Sequence, residues 1–222
     1  MWLTLLSAAL AQEIPEEEQL PGDFEELPAE APAPAWEPKL QVSAGPGVGA
    51  AIPLRTELAG AAQVSADVGV QLPVWGGRLR PLALLAITNP AYTGHGEDPQ
   101  LPSAYTYTLH QRELTAGVGL GIRALKGNYP VNPELIAAPQ LYLMRSTLDT
   151  TMGSTSLGSS AESTTALGWL VAPGFVVRAG PGELAIRVAL SSAPLHGAIT
   201  GEGSAMAVNP ALVYRVYIGG RG

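Results

Sequence analysis

Between Leu40 and Ile52 apolar and small or polar residues alternate without a break. Leu40, Val42, Ala44, Pro46, Val48, Ala50 and Ile52 fall on one face, and Gln41, Ser43, Gly45, Gly47 and Gly49 on the other. The same rhythm returns at Ala62–Leu72, Leu114–Ala124, Leu167–Ala179, Leu184–Leu190 and Met206–Ile218. A period of two over such lengths predicts β-strands whose two faces differ chemically. The chain is therefore expected to be all-β.

The polar face decides which kind of β protein this is. A soluble sandwich or lipocalin also has one apolar face, but its solvated face favours Thr, Lys or Glu. Here that face carries Gly45, Gly47, Gly49, Gly69, Gly117, Gly119, Gly121, Gly168 and Gly174. Glycine weakens an exposed strand and suits the inside of a narrow closed barrel, where side chains have little room. Lysine, the usual protector of soluble sheets, occurs only at Lys39 and Lys126. Asp67, Glu113, Arg123, Arg178, Glu183, Arg187 and Arg215 all share the polar register. A charge turned toward lipid costs roughly 2–4 kcal/mol at mid-membrane, whereas inside a barrel opposite charges can pair. These seven residues are therefore the candidate site, a charge network in the lumen. Glu183 and Arg215 are expected to lie close together, near one rim.

Eight strands are predicted, at about 39–52, 62–73, 79–91, 106–125, 134–148, 165–179, 182–193 and 205–218. Trp75-Gly-Gly77 and Gly180-Pro-Gly182 read as tight turns, and Lys126–Pro133 as a longer turn on the same side. The connections at 92–105, 149–164 and 194–204 are longer, polar and rich in Gly, Ser and Thr. In an up-and-down barrel odd and even connections lie at opposite ends, and outer-membrane barrels keep short turns in the periplasm and long loops outside. Pro46, Pro81, Pro139, Pro173 and Pro210 fall inside these strands, and the loss of a ladder donor at each predicts bulges or kinks.

Residues 1–11 form a short apolar run ending in Ala9-Leu10-Ala11, a small-x-small pattern that predicts a signal peptide cut after Ala11. Residues 12–38 are dominated by Glu, Pro and Ala and are expected to be an acidic, disordered periplasmic linker before a barrel at 39–222. Nine of the 19 acidic residues lie in that linker, with no basic residue among them. The other ten face all 12 basic residues, so the net charge of −7 belongs to the tail. No basic patch favours nucleic acid. The absence of cysteine excludes disulfides, a lipoprotein anchor and thiolate metal sites.

On this architecture the segment 39–218 resembles the small eight-stranded outer-membrane barrels of Gram-negative bacteria, of the OmpA, OmpX and OmpW type. The resemblance implies an eight-stranded antiparallel up-and-down transmembrane β-barrel in contact with outer-membrane lipid. Nothing in the spacing indicates catalysis. Ser103 or Ser192 with His110 or His196 would be needed for a membrane-embedded lipid-modifying hydrolase, and Gly94–Asp98 reads as a solvated loop tip before it reads as a cation site. No phosphate-cradling loop opens a helix. No catalytic, metal or cofactor residues are assigned. The expected role is non-catalytic, structural or surface-interacting, with a surface or periplasmic partner left open. The alternatives are a narrow channel or conduit for small apolar solutes and, third, the hydrolase.

Overall fold

A computed structural model describes residues 39–54, 58–126, 129–197, 199 and 201–218. The expected signal peptide and linker at 1–38 lie outside the described residues. The strands are β1 (Gln41–Pro53), β2 (Ala61–Gln71), β3 (Leu79–Thr88), β4 (Ala91–Gly96), β5 (Tyr105–Arg123), β6 (Val131–Met152), β7 (Thr155–Ala179), β8 (Gly182–Ser192), β9 (Pro194–Gly197), β10 (Gly201–Ser204) and β11 (Ala207–Ile218). A 3-10 turn at Val74–Gly76 lies between β2 and β3.

The sheet runs β3-β2-β1-β11-β8-β7-β6-β5-β4, and a further pairing of β3 with β5 closes it. Because β4 continues β3 along β5, the wall is a closed, antiparallel, eight-stranded barrel, with β9 and β10 forming a separate hairpin between β8 and β11. The start of β1 and the end of β11 lie side by side, with Val42 opposite Ile218. That terminal end also carries the turns at Val74–Gly76 and 180–181 and the link from β5 to β6, and the hairpins lie at the other, loop end.

Alternation sets the faces as the period of two requires. Val68, Val118, Leu120, Ile186 and Leu212 are exposed on the outer wall, while Asp67, Arg123, Arg187 and Arg215 point inward. From Leu114 to Ile122 on β5, Val131 to Leu143 on β6 and Leu167 to Ala179 on β7, every outward residue is apolar. The same holds for β1, β2 and β3, from Leu184 to Leu190 on β8, and from Val208 to Ile218 on β11. At about 3.3 Å per residue and a tilt of ~40°, the ten residue steps from Leu167 to Val177 rise ~25 Å, the height of a hydrocarbon band.

Two expectations are corrected. The segment 149–164 is no loop, because β6 and β7 stay paired as far as Met152 and Thr155 around a turn at Gly153. Its Thr and Ser residues suit a strand, and mutual pairing satisfies backbone groups that a loop would leave to water. Part of 194–204 likewise pairs as the β9–β10 hairpin. The prolines do not break the barrel either. At Pro46 the β1–β11 ladder skips from Ala44↔Val216 to Gly47↔Val213, which is the same register. The gaps at Pro81, Pro139, Pro173 and Pro210 behave identically in the β2–β3, β5–β6, β7–β8 and β1–β11 ladders. Each proline removes a donor from one neighbouring ladder only, and the strand remains paired on its other side. Among the described residues the register shifts at Thr150/Thr151, away from any of these prolines.

Candidate functional site

Near the terminal end, polar side chains from seven of the eight staves converge on the barrel axis. Asp67 stands at the centre of one half. It accepts from Arg80 Nη2 at 3.2 Å, from Arg187 Nη1 at 3.2 Å, and from Arg215 Nε at 2.9 and 3.1 Å. Arg80 Nη2 also donates to Ser43 Oγ of β1 at 3.0 Å. In the other half, Glu183 Oε1 accepts from Arg123 Nη2 at 2.6 Å and Arg215 Nη1 at 3.1 Å, while the Tyr217 hydroxyl donates to Oε2. Glu134 accepts from Arg215 Nη1 at 2.9 Å and from Arg123 Nε at 3.4 Å. Arg215 thus ties the halves together, holding three carboxylates at once.

The cluster is sealed from water, with Arg80, Arg215, Glu183 and Asp67 among the most deeply buried side chains. Four arginines meet three carboxylates there. Burying so much charge is tolerable only because each carboxylate accepts from at least two donors. The stave β7 contributes space instead of charge, since Gly174 pairs with both Glu134 and Arg187. A Cβ there would come within 2.9 Å of Arg187 Cα. Gln71 fastens the cluster to the turn below, as its Nε2 donates to Gly77 O at 2.6 Å and its Oε1 accepts from Arg123 Nη1 at 3.4 Å.

Five of the seven expected residues are brought together: Asp67, Arg123, Glu183, Arg187 and Arg215. Two are not. Glu113 faces the lumen well toward the loop end, where it makes no ion pair among the described residues. Its strand partner is Thr88, ten ladder positions from the pairing of Arg123 with Glu134. Parity chose its face correctly, but its height puts the arginines out of reach. Arg178, next to last in β7, is exposed at the rim opposite Glu183 in the ladder, outside the buried cluster. Conversely, Arg80 and Glu134 were missed. The strand β3 is apolar on both faces, so alternation gave Arg80 no contrast, and Glu134 stood at the very start of its predicted strand. The cost of a charge facing lipid was the signal that could have turned both inward.

Above the cluster, Leu82, Leu84, Ile136, Ala138, Ala172 and Ala189 pack as an apolar layer on one side of the lumen. Beside it, a cavity of about 40 Å³ is bounded by Arg187 and by Gln63, Glu113, Gln140 and Asn209 among others. A second, also about 40 Å³, continues toward the loops between Glu113, Asn209, Gln111 and Met206. Each has room for a few waters at most, at roughly 10–15 Å³ of accessible volume per water. Asn209 Nδ2 donates to Ser191 Oγ at 2.9 Å and the Tyr142 hydroxyl to Gln140 Oε1 at 3.0 Å. The lumen is therefore a filled column with the ion cluster across it. His110 sits on the outer wall opposite Thr147, and His95 shares a hydrogen bond of 3.1 Å with Thr106 Oγ1. Among the described residues no three His, Asp or Glu side chains gather in a metal-binding group.

No family model matches the chain, and no curated protein does. Among solved structures it is similar to Neisserial surface protein A, with 18% identity, a TM-score of 0.43, and coverage of 80% of this chain and 96% of that one. It is also similar to Ail, the attachment invasion locus protein of Yersinia pestis, crystallised with the heparin analogue sucrose octasulfate, with 12% identity, a TM-score of 0.39 and the same coverages. For the N-terminal β-barrel domain of Pseudomonas aeruginosa OprF the identity is 10% and the TM-score 0.40, covering 80% of this chain and 99% of that one.

Proposed function

We propose that this chain is a non-catalytic β-barrel of the outer membrane with a structural or surface-interaction role. The observation that carries this reading is the outer wall. A band with only apolar outward residues encircles all eight staves, while the buried charges are gathered in the lumen. An uninterrupted apolar belt of that extent marks an interaction surface, and its height suits a bilayer. The short turns and both barrel termini then face the periplasm, with the expected tail at 12–38, and the β4, β6–β7 and β9–β10 hairpins face outward as the contact surface. A conduit for solutes needs a through path, and the cluster centred on Arg215 crosses the lumen.

The test is direct. The expressed chain should fractionate with outer membranes, shift on unboiled gels as a folded barrel, and pass no steady current in planar bilayers. A soluble, unshifted protein would overturn the membrane reading. Steady ion-selective conductance would replace the structural reading with the channel.

A further inference from the structure

The apolar band stops abruptly at the loop end of β5 and β6. Its last outward residues there, Leu114 and Leu143, are direct ladder partners. One outward step higher stand Arg112 and Arg145, also direct partners, and above them His110 and Thr147. Both arginines are exposed, and neither makes an ion pair among the described residues. Across β7 Arg145 faces Ser163, and the first outward carboxylate above it, Asp149, is two outward positions away, opposite Thr108 and Ser159. Like charges directly opposite on a sheet face repel. The arginines of the lumen each meet a carboxylate, whereas this pair meets none. An anion is the missing partner.

The surroundings say what kind of anion. Just below the pair, a hollow of about 290 Å³ is lined by Ile87, Leu114 and Leu143, with Arg112, Arg145, Ser163 and Thr165 around it. Just above, a second hollow of about 160 Å³ is lined by Asn89, Pro90, His110, Gln111, Thr147 and the same two arginines. The pair therefore divides an apolar depression in the belt from a polar one beyond it. A guanidinium presents a planar fork of donors that matches phosphate oxygens.

Resting on the membrane reading above, we propose that Arg112 and Arg145 clamp the phosphate of an anionic lipid in the leaflet on the loop side. One acyl chain lies in the hollow over Ile87, Leu114 and Leu143. The Ser163 and Thr165 hydroxyls and the His110 ring stand ready as further polar contacts. A soluble phosphate would use the arginines and leave the apolar hollow empty, so the commitment is to a lipid.

Native mass spectrometry of the full chain, folded in zwitterionic micelles, tests this with phosphatidate, with phosphatidylcholine of the same chains, and with inorganic phosphate as competitor. Folding is read separately from the shift on unboiled gels. Wild type should retain phosphatidate at least tenfold better than phosphatidylcholine, and inorganic phosphate should not displace it. Arg112→Gln with Arg145→Gln should lose that preference. Arg145→Glu, which gives Arg112 a partner of opposite sign, should fold at least as well as wild type and still lose it. Equal retention of phosphatidate by the folded variants, equal retention of both lipids by wild type, or displacement by inorganic phosphate would overturn the clamp. A wild-type chain that gives no folded barrel at all would count against the membrane reading instead.

Discussion

The guanidinium of Arg80 lies over the backbone of Gly69, so close that a Cβ on Gly69 would meet Arg80 Cζ at 2.5 Å and Nη2 at 2.6 Å. Arg80 is held there by Asp67 and Ser43, so a retreat from Gly69 would pull it away from those partners. The glycine is thus a spatial requirement of the ion cluster and not of the strand. Gly69→Ala should displace Arg80 from Asp67 and lower stability by about 1–3 kcal/mol, the cost of leaving a buried polar group unmatched. In an Arg80→Met background the same substitution should cost much less. Urea unfolding of the four proteins of this cycle checks the coupling, and simple additivity would refute the spatial argument.

Glu183 accepts from Arg123, Arg215 and Tyr217. Removing its carboxylate takes one partner from Arg123 and one from Arg215 in a buried interior and leaves Glu134 shared between them. Glu183→Ala is expected to destabilise the barrel by about 3–5 kcal/mol, the range for breaking a buried ion pair on one side only. Guanidinium midpoints in detergent measure it, and a loss under ~1 kcal/mol would mean that water reaches the cluster.

Glu113 provides the contrast on the same face of the same lumen. It has no ion pair among the described residues and borders both small cavities. Glu113→Gln should therefore change stability by less than ~1 kcal/mol. A loss as large as that of Glu183→Ala would place Glu113 in a charge network after all.

Val118 stands in the middle of the outer belt at 67% exposure. In water, replacing so exposed a valine would be worth no more than about 0.5 kcal/mol. Facing hydrocarbon, Val118→Arg should cost roughly 2–4 kcal/mol. Folding equilibria in lipid vesicles distinguish the two environments, and a neutral result would argue against lipid at this height.

Alternation along β1, β2, β5, β7, β8 and β11 was enough to assign the faces. The inward set of Asp67, Arg123, Glu183, Arg187 and Arg215 and the outward set of Val68, Val118, Leu120, Ile186 and Leu212 follow from period two alone, because neighbouring side chains in a strand point to opposite sides. The approach of Glu183 to Arg215 was also legible, since both sit near the joined ends of adjacent strands. What parity cannot supply is height. How far up the barrel a residue stands depends on the stagger between strands, a property of the closed sheet. Only the tertiary structure therefore separated Glu113 from the cluster, left Arg178 at the rim and set Arg112 level with Arg145. Where both faces of a strand are apolar, as in β3, alternation gives no contrast, and the structure places Arg80 through the pairing of β3 with both β2 and β5. The prolines show the same division: their missing donors are written in the sequence, but that each gap falls in one ladder while the other holds was decided by neighbours far along the chain.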